Sequence, residues 1–125
     1  MPGIVRYDDP QKNVTGELLG TFVEDDGGRP ISVTPATGTS TGPWMEVKSY
    51  DKICLSLWAD GDATFQVFGS NLMAPQSTDV GMELFSDQTI SGGGEIVLAI
   101  KTPIRWIRVH PTANNGNVLA PFTGI

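Results

Sequence analysis

The chain has 125 residues, close to the commonest size of a single domain, with 15 glycines, 9 prolines and a net charge of −6. The glycine and proline content favours many short strands over long helices. The negative charge excludes nucleic-acid binding through a basic surface and disfavours anionic membranes. The single cysteine, Cys54, excludes an intramolecular disulfide, and its apolar neighbours predict a buried, unreactive thiol.

Residues 1–43 are rich in glycine, threonine, proline and aspartate, and their apolar residues are thinly spread. Glu17 to Glu24 is one strand or a short irregular segment, 29–34 is an edge strand because it contains proline, and 35–43 is a polar linker. A flexible tail is one interpretation. The favoured one is an extended arm, with a reach on the order of 130 Å, that becomes ordered against a neighbouring subunit. The arm residues predicted to bind that partner are Ile4, Val5, Tyr7, Leu18, Leu19 and Phe22.

The stretch from Trp44 to Ser70 has the alternating pattern of β-strands. A strand is predicted over Trp44 to Tyr50, and another where Ile53, Leu55 and Leu57 point to one side. Asp60-Gly61-Asp62 has the residues of a tight turn, and alternation resumes at Phe65 and Val67. The pattern therefore predicts a hairpin, with Trp58, Asp60 and Asp62 as possible contact surface.

Shorter signals continue to the last residue. Loops are predicted over 71–81 and 86–94, with a short strand from Met82 to Phe85 between them. Glu95 to Lys101 is apolar on both faces, which is typical of a central strand. Ile104 to His110 and Val118 to Ile125 are predicted strands, and the Asn-Gly pair between them predicts a hairpin turn. The chain is thus predicted to be all-β: a jelly-roll-like β-sandwich of seven or eight strands over 44–125, with an extended N-terminal arm over 1–43. A barrel is the structural alternative.

Residues suited to catalysis are sparse. His110 is the only histidine and lies at the end of a predicted strand, and nothing in the spacing supports its pairing with Cys54. The aspartate pairs lie in glycine-rich turns, and Asp60 with Asp62 is a weak calcium signal because calcium takes six to eight oxygens. Neither zinc spacing nor a phosphate-binding loop is present. We therefore expect no enzyme activity, no cofactor and no metal.

Two groups of side chains invite a binding interpretation. Trp44, Trp58 and Trp106 are candidates for stacking on sugar rings, although tryptophans in strands are more often core or interface residues. Arg105 and Arg108 are predicted to lie on opposite faces of their strand, which suggests salt bridges or rim positions at an interface.

Three stretches carry a resemblance to a known class of proteins: Gly42-Pro43-Trp44, residues 63–71 (ATFQVFGSN), and residues 103–109 (PIRWIRV) with the Asn115-Gly116 turn that follows. From Trp44 onward the chain resembles small β-sandwich modules of tailed-phage virion proteins. These stretches also look like galactose-binding jelly rolls. However, the sequence lacks an evident polar cluster around an aromatic platform, which argues against a lectin.

The resemblance implies a capsid cement or decoration protein on the outer surface of a phage head. Its partner would be the major capsid protein, whose subunits it would hold together. A homo-oligomer, dimer or trimer, is also expected. The first residues lack the apolar core of a signal peptide, so we expect synthesis in the host cytoplasm. The alternative function is a tail-associated or carbohydrate-binding module.

Overall fold

A computed structural model describes the backbone of residues 14–24 and 30–125. The described residues form thirteen strands and contain no helix, which confirms the all-β prediction. The strands are β1 (Val14–Glu17), β2 (Thr21–Glu24), β3 (Pro30–Thr34), β4 (Ala36–Thr37), β5 (Met45–Glu46), β6 (Ile53–Ala59), β7 (Ala63–Ser70), β8 (Met82–Glu83), β9 (Gln88–Ile90), β10 (Gly94–Ile100), β11 (Trp106–Asn114), β12 (Asn117–Leu119) and β13 (Pro121–Gly124).

Two antiparallel sheets pack against each other. The first contains β1, β4, β6, β10, β12 and β13; the second contains β5, β7, β8, β9 and β11. Strands β12 and β13 lie end to end along one side of β6, and β10 lies along its other side. Strands β2 and β3 form a separate two-stranded ribbon. The predicted β-sandwich is therefore confirmed.

The core is built from the alternate residues that the sequence pattern selects. Leu55 and Leu57 on β6, and Phe65 and Val67 on β7, are fully buried. On β7, the residues that alternate with these core residues are half-buried on the other side of the strand. Because side chains alternate across a strand, each sheet presents one apolar face, and the two faces meet in the core.

The predicted hairpin at Asp60 to Asp62 is wrong. Strand β6 pairs with β10, β12 and β13, whereas β7 pairs with β8, β9 and β11 in the other sheet. The turn therefore carries the chain across the core from one sheet to the other. The alternating pattern fixes which face of each strand is buried, but it does not say which strand lies beside it.

The predicted Asn-Gly hairpin fails for the same reason. Strand β11 belongs to the second sheet and β12 to the first, so residues 115–116 also cross between the sheets. A third crossing joins β9 to β10 through residues 91–93. At each of these crossings, two consecutive strands therefore belong to opposite sheets.

Strand β10, predicted to be central, lies at an edge. Within the described part of the chain it pairs only with β6. Val97, on its outer face, is 58% exposed, and Ala99 is exposed as well. An apolar pattern on both faces normally marks a strand that is covered on both sides and paired along both edges. This strand is apolar on both faces, but its second edge pairs with no strand of the described residues.

The sandwich also begins earlier than Trp44. Strand β1 pairs with β13, and β4 pairs with β12, so residues assigned to an arm complete the first sheet. Leu18 and Leu19 are buried in the core cluster rather than presented to a partner. Gly42 is buried beside them, and a Cβ atom there would overlap the carbonyl oxygen of Leu18. The predicted boundary at residue 43 therefore falls inside the packed structure.

The structure does not describe the side chains of the other predicted arm residues. Ile4, Val5 and Tyr7 lie outside the described residues, and of Phe22 only the backbone, in β2, is described. Between β1 and β2 the chain bends at residues 18–20, where Gly20 adopts a positive φ of 76°. The predicted segment from Glu17 to Glu24 is thus two strands separated by a bend.

Candidate binding surface

Three of the crossings between the sheets, at residues 60–62, 91–93 and 115–116, lie side by side. The Gly93 N–H donates to the Gly61 carbonyl at 3.2 Å, and the Asn115 N–H donates to the Asp62 carbonyl at 2.9 Å. The middle crossing, residues 60–62, is therefore bonded through its backbone to the crossing on either side. Without these bonds, the backbone groups involved would lack hydrogen-bond partners within the protein at this end of the sandwich.

The two aspartates of the middle crossing add side-chain bonds. Asp60 accepts hydrogen bonds from the backbone N–H and the side-chain Nδ2 of Asn117, both at 2.8 Å, and Asp62 Oδ1 accepts one from the Gly92 N–H at 2.7 Å. The bonds from Asn117 stabilise the carboxylate form and lower the pKa of Asp60. The two aspartates of the predicted contact surface thus bond within the molecule. Among the described residues, no group of three or more His, Cys, Asp or Glu side chains could hold a metal ion.

This network predicts a contribution of Asp60 to stability that depends on pH. Since its pKa is lower in the folded chain, the contribution is full above the unfolded pKa, near 4, and is lost as pH falls through the folded value. In Asp60→Asn the fall in the urea midpoint on acidification should be shallower than in the native chain. The control, Glu83→Gln, removes an exposed carboxylate on β8. The assignment fails if the two variants change the pH profile equally.

A second feature is a loop with an apolar surface. The apolar loop, as we call residues 71–82, leads from β7 into β8. It carries four large side chains that are more than half exposed: Leu72 (52%), Met73 (78%), Val80 (66%) and Met82 (59%). Single exposed apolar residues are common on protein surfaces, but four within one loop are typical of a contact surface.

The buried side chain of Arg108 binds the backbone of this loop. The residue is only 7% exposed, and its guanidinium carbon lies 4.4 Å from the centre of the Trp44 ring. Nη1 donates to the carbonyl of Ser77 at 3.1 Å, and Nη2 donates to the carbonyl of Asp79. Arg108 is therefore a buried residue that binds backbone carbonyls of the same chain. The predicted position in a salt bridge or at an interface rim is wrong. The buried Nε of Arg108 finds no hydrogen-bond partner among the described residues, so part of the cost of removing it from water is not offset.

Other bonds fix the remainder of the loop. Trp106 Nε1 donates to the Leu72 carbonyl at 3.0 Å, and Trp44 Nε1 donates to the Gln76 carbonyl at 3.2 Å. At the start of the loop, Asn71 Oδ1 accepts the backbone N–H of Arg105 at 2.9 Å. Backbone carbonyls along the loop are thus bound by side chains of the sandwich, while its apolar side chains remain exposed.

These contacts bear on the sugar-stacking interpretation. Trp44 and Trp106 are half-buried, and each uses its indole N–H to hold the apolar loop. Trp58 is half-buried on the other sheet, opposite Glu95 in the β6–β10 pairing. Two of the three candidate platforms are therefore explained by their structural role.

Cys54 and His110 lie far apart in the fold. The thiol is exposed on the outer side of β6, so the predicted burial of Cys54 is wrong. His110 is on β11 in the second sheet, where Nδ1 is 2.9 Å from the Thr41 hydroxyl. Both residues alternate with buried neighbours, which places their side chains on opposite outer faces of the sandwich. The structure does not bring them together.

The sequence did not reveal the apolar loop as a site. Its four exposed side chains follow neither the period of a strand nor that of a helix, so pattern reasoning classes the segment as a connection. The available signal is compositional, since loops are normally polar and this one carries Leu72 and Met73 near its start and Val80 and Met82 near its end.

Comparisons with known proteins add no further identification. No protein-family model, no curated protein and no solved structure matches the chain. Within the described residues, no helix has the length and apolar character needed to cross a membrane.

Proposed function

We propose that this chain is a structural virion protein of a tailed phage: a capsid cement protein that docks on the outer surface of the head through its apolar loop. The observation that carries the proposal is the combination of exposure and restraint in that loop. Met73 and Val80 are 78% and 66% exposed, while Arg108 and Trp106 hold the backbone between and beside them.

A restrained apolar loop suits binding to a protein surface. Ordering a mobile loop on association costs conformational entropy, and a loop that is already ordered avoids much of that cost. Methionine side chains adapt to the irregular surface of a partner because they are unbranched and polarisable. The loop thus offers burial of apolar area with little rearrangement of its backbone.

The sequence supports the same proposal from another direction. The resemblance of residues 44–125 to tailed-phage virion modules implies a structural role on a particle, and the net charge of −6 favours solubility before assembly. A capsid offers many equivalent sites, and the expected homo-oligomer would link several copies, which bind more tightly together than singly. A modest contact per copy is therefore sufficient.

The test is sedimentation of the purified protein with heads from the phage that carries this sequence. The double variant Met73→Lys/Val80→Lys changes only exposed positions, so it should fold normally and bind heads at least about tenfold more weakly. The control, Ile125→Lys, alters an exposed aliphatic residue outside the loop and should bind like the native chain. Native protein that stays in the supernatant, or a double variant that sediments fully, would overturn the proposal.

A shortened chain separates the loop from the predicted arm. A chain without residues 1–12 keeps every described strand and the whole apolar loop. Undiminished binding by this chain would show that docking does not need Ile4, Val5 or Tyr7, and reduced binding would show that one or more of them contributes as predicted. If the native chain bound a glycan array and not heads, the carbohydrate-binding alternative would replace the cement function.

A further inference from the structure

The edge strand β10 has the sequence of a strand with neighbours on both sides. Ile96, Leu98 and Ile100 face the core, and Val97 and Ala99 face outward. Ile96 and Leu98 are only half-buried, because along the free edge nothing among the described residues covers them. Where a sequence pattern and its structural position disagree in this way, the position is often a functional one.

The strand also lacks the devices that normally protect a sheet edge. Such edges are blocked by proline, by charged residues within the strand or by bulges. Residues 96–100 contain neither proline nor charge, and their register with β6 is continuous from Gly94 to Ile100. The charged residues nearest to this stretch are Glu95, near the start of β10, and Lys101, directly after its last residue, and both are exposed.

The charge pattern of this edge is self-complementary. In an antiparallel pair of two β10 strands centred on Leu98, Glu95 of each chain lies opposite Lys101 of the other. Ile96 then lies opposite Ile100, and Val97 opposite Ala99. Opposed residues point to the same face, so core-side residues meet core-side residues and outer ones meet outer ones.

We infer that β10 is a dimer interface, in which a second copy of this chain pairs edge to edge about a twofold axis at Leu98. The pairing satisfies the free backbone groups of both strands and covers the half-buried Ile96 and Leu98. It is isologous, since the same patch serves both subunits. A second copy is the occupant because the reversed β10 sequence itself places a lysine against Glu95 and a glutamate against Lys101, with apolar residues opposed between them.

The inferred dimer does not depend on the proposed function. Strand β10 belongs to the first sheet, whereas the apolar loop connects two strands of the second. Dimerisation would therefore leave the loop free, and each subunit of the pair could dock separately. A dimer would present two docking loops to the same phage head, and this would raise its apparent affinity for the head through multivalency.

Charge reversal tests the register. Glu95→Lys places two like-charged pairs across the interface, and so does Lys101→Glu; each variant should dimerise about tenfold more weakly than the native chain in sedimentation equilibrium. An equimolar mixture of the two variants restores both opposite-charge pairs in a heterodimer, and the double variant restores them in a homodimer. Both should recover native dimerisation. Because both residues are exposed, neither change disturbs the folded monomer.

An independent variant tests the strand edge. Val97→Lys introduces an edge-blocking charge at an exposed position and should give monomers, while Val80→Lys, in the apolar loop, should leave the dimer intact. A native chain that is monomeric at about 100 µM would overturn the inference, because specific edge pairing of this extent should be detectable there. A dimer that neither the reversals nor Val97→Lys weakens would overturn it too. Loss of head binding by Val80→Lys with an intact dimer would separate the two surfaces.

Discussion

A chain that begins at residue 35 is expected to fail to fold cooperatively. It lacks β1 and both Leu18 and Leu19, which are 0% and 5% exposed in the core. The Leu18 N–H donates to the Ala120 carbonyl at 2.8 Å, and the Ala120 N–H donates to the Leu19 carbonyl at 3.0 Å, so the cut also removes backbone partners of the last strands. Two buried leucines contribute about 3–6 kcal/mol, a large share of the 5–15 kcal/mol typical of a domain.

The measurement is urea unfolding followed by tryptophan fluorescence. A chain that begins at Asn13 keeps every described strand and should show the transition of the full-length protein. Gly42→Ala tests the same packing without shortening the chain, because the added Cβ would overlap the backbone of Leu18. A sharp transition near the native midpoint in the chain from residue 35 would mean that residues 14–34 are dispensable for the sandwich.

Replacing Arg108 with alanine should release the apolar loop. The change removes two hydrogen bonds from a charged donor to the carbonyls of Ser77 and Asp79, and also the contact with the Trp44 ring. Bonds of this kind contribute about 1.5–3 kcal/mol each, offset here by relief of the unpaired Nε, so we expect a loss of about 3 kcal/mol. Amide hydrogen exchange should quicken most at residues 72–80.

Arg108→Lys is the matched variant. A lysine keeps the charge over Trp44, but it cannot donate to two separate carbonyls with the fixed geometry of a guanidinium. Its stability and exchange rates should therefore fall between those of the native chain and the alanine variant. If exchange quickens equally throughout the sandwich, Arg108 supports the fold as a whole and not the loop in particular. If the apolar loop is the docking surface proposed above, binding to phage heads should weaken in the same order as the loop loosens.

The strands were largely predictable from sequence, but their partners were not. The alternation through Leu55, Leu57, Phe65 and Val67 identifies β6, β7 and their buried faces, because side chains on a strand point to opposite sides in turn. The same alternation is compatible with a hairpin and with a crossing between sheets. What decides between them is long-range pairing, such as that of β6 with β10 and β13, which no local pattern encodes.

The candidate binding surface is less predictable still. The sequence predicts that Asp60 is a turn residue, but its bonds to Asn117 join positions that are distant in the chain. Arg108 reads as an exposed cation because a buried arginine is rare, and its partners are backbone carbonyls, which have no sequence signature. The apolar pattern of β10 was recognised, yet its place at the edge depends on the order of the strands.

The pairing of β1 with β13 also bears on how the chain reaches its fold. Val14 lies opposite Gly124, so the first sheet is completed by segments about a hundred residues apart in sequence. Such non-local contacts require closure of long loops before any stabilisation is gained, and proteins dominated by them fold in about milliseconds to seconds. During that interval β10 is without β6 as well, and both of its edges are open. Synthesis of many copies at once would therefore carry a risk of aggregation at this strand.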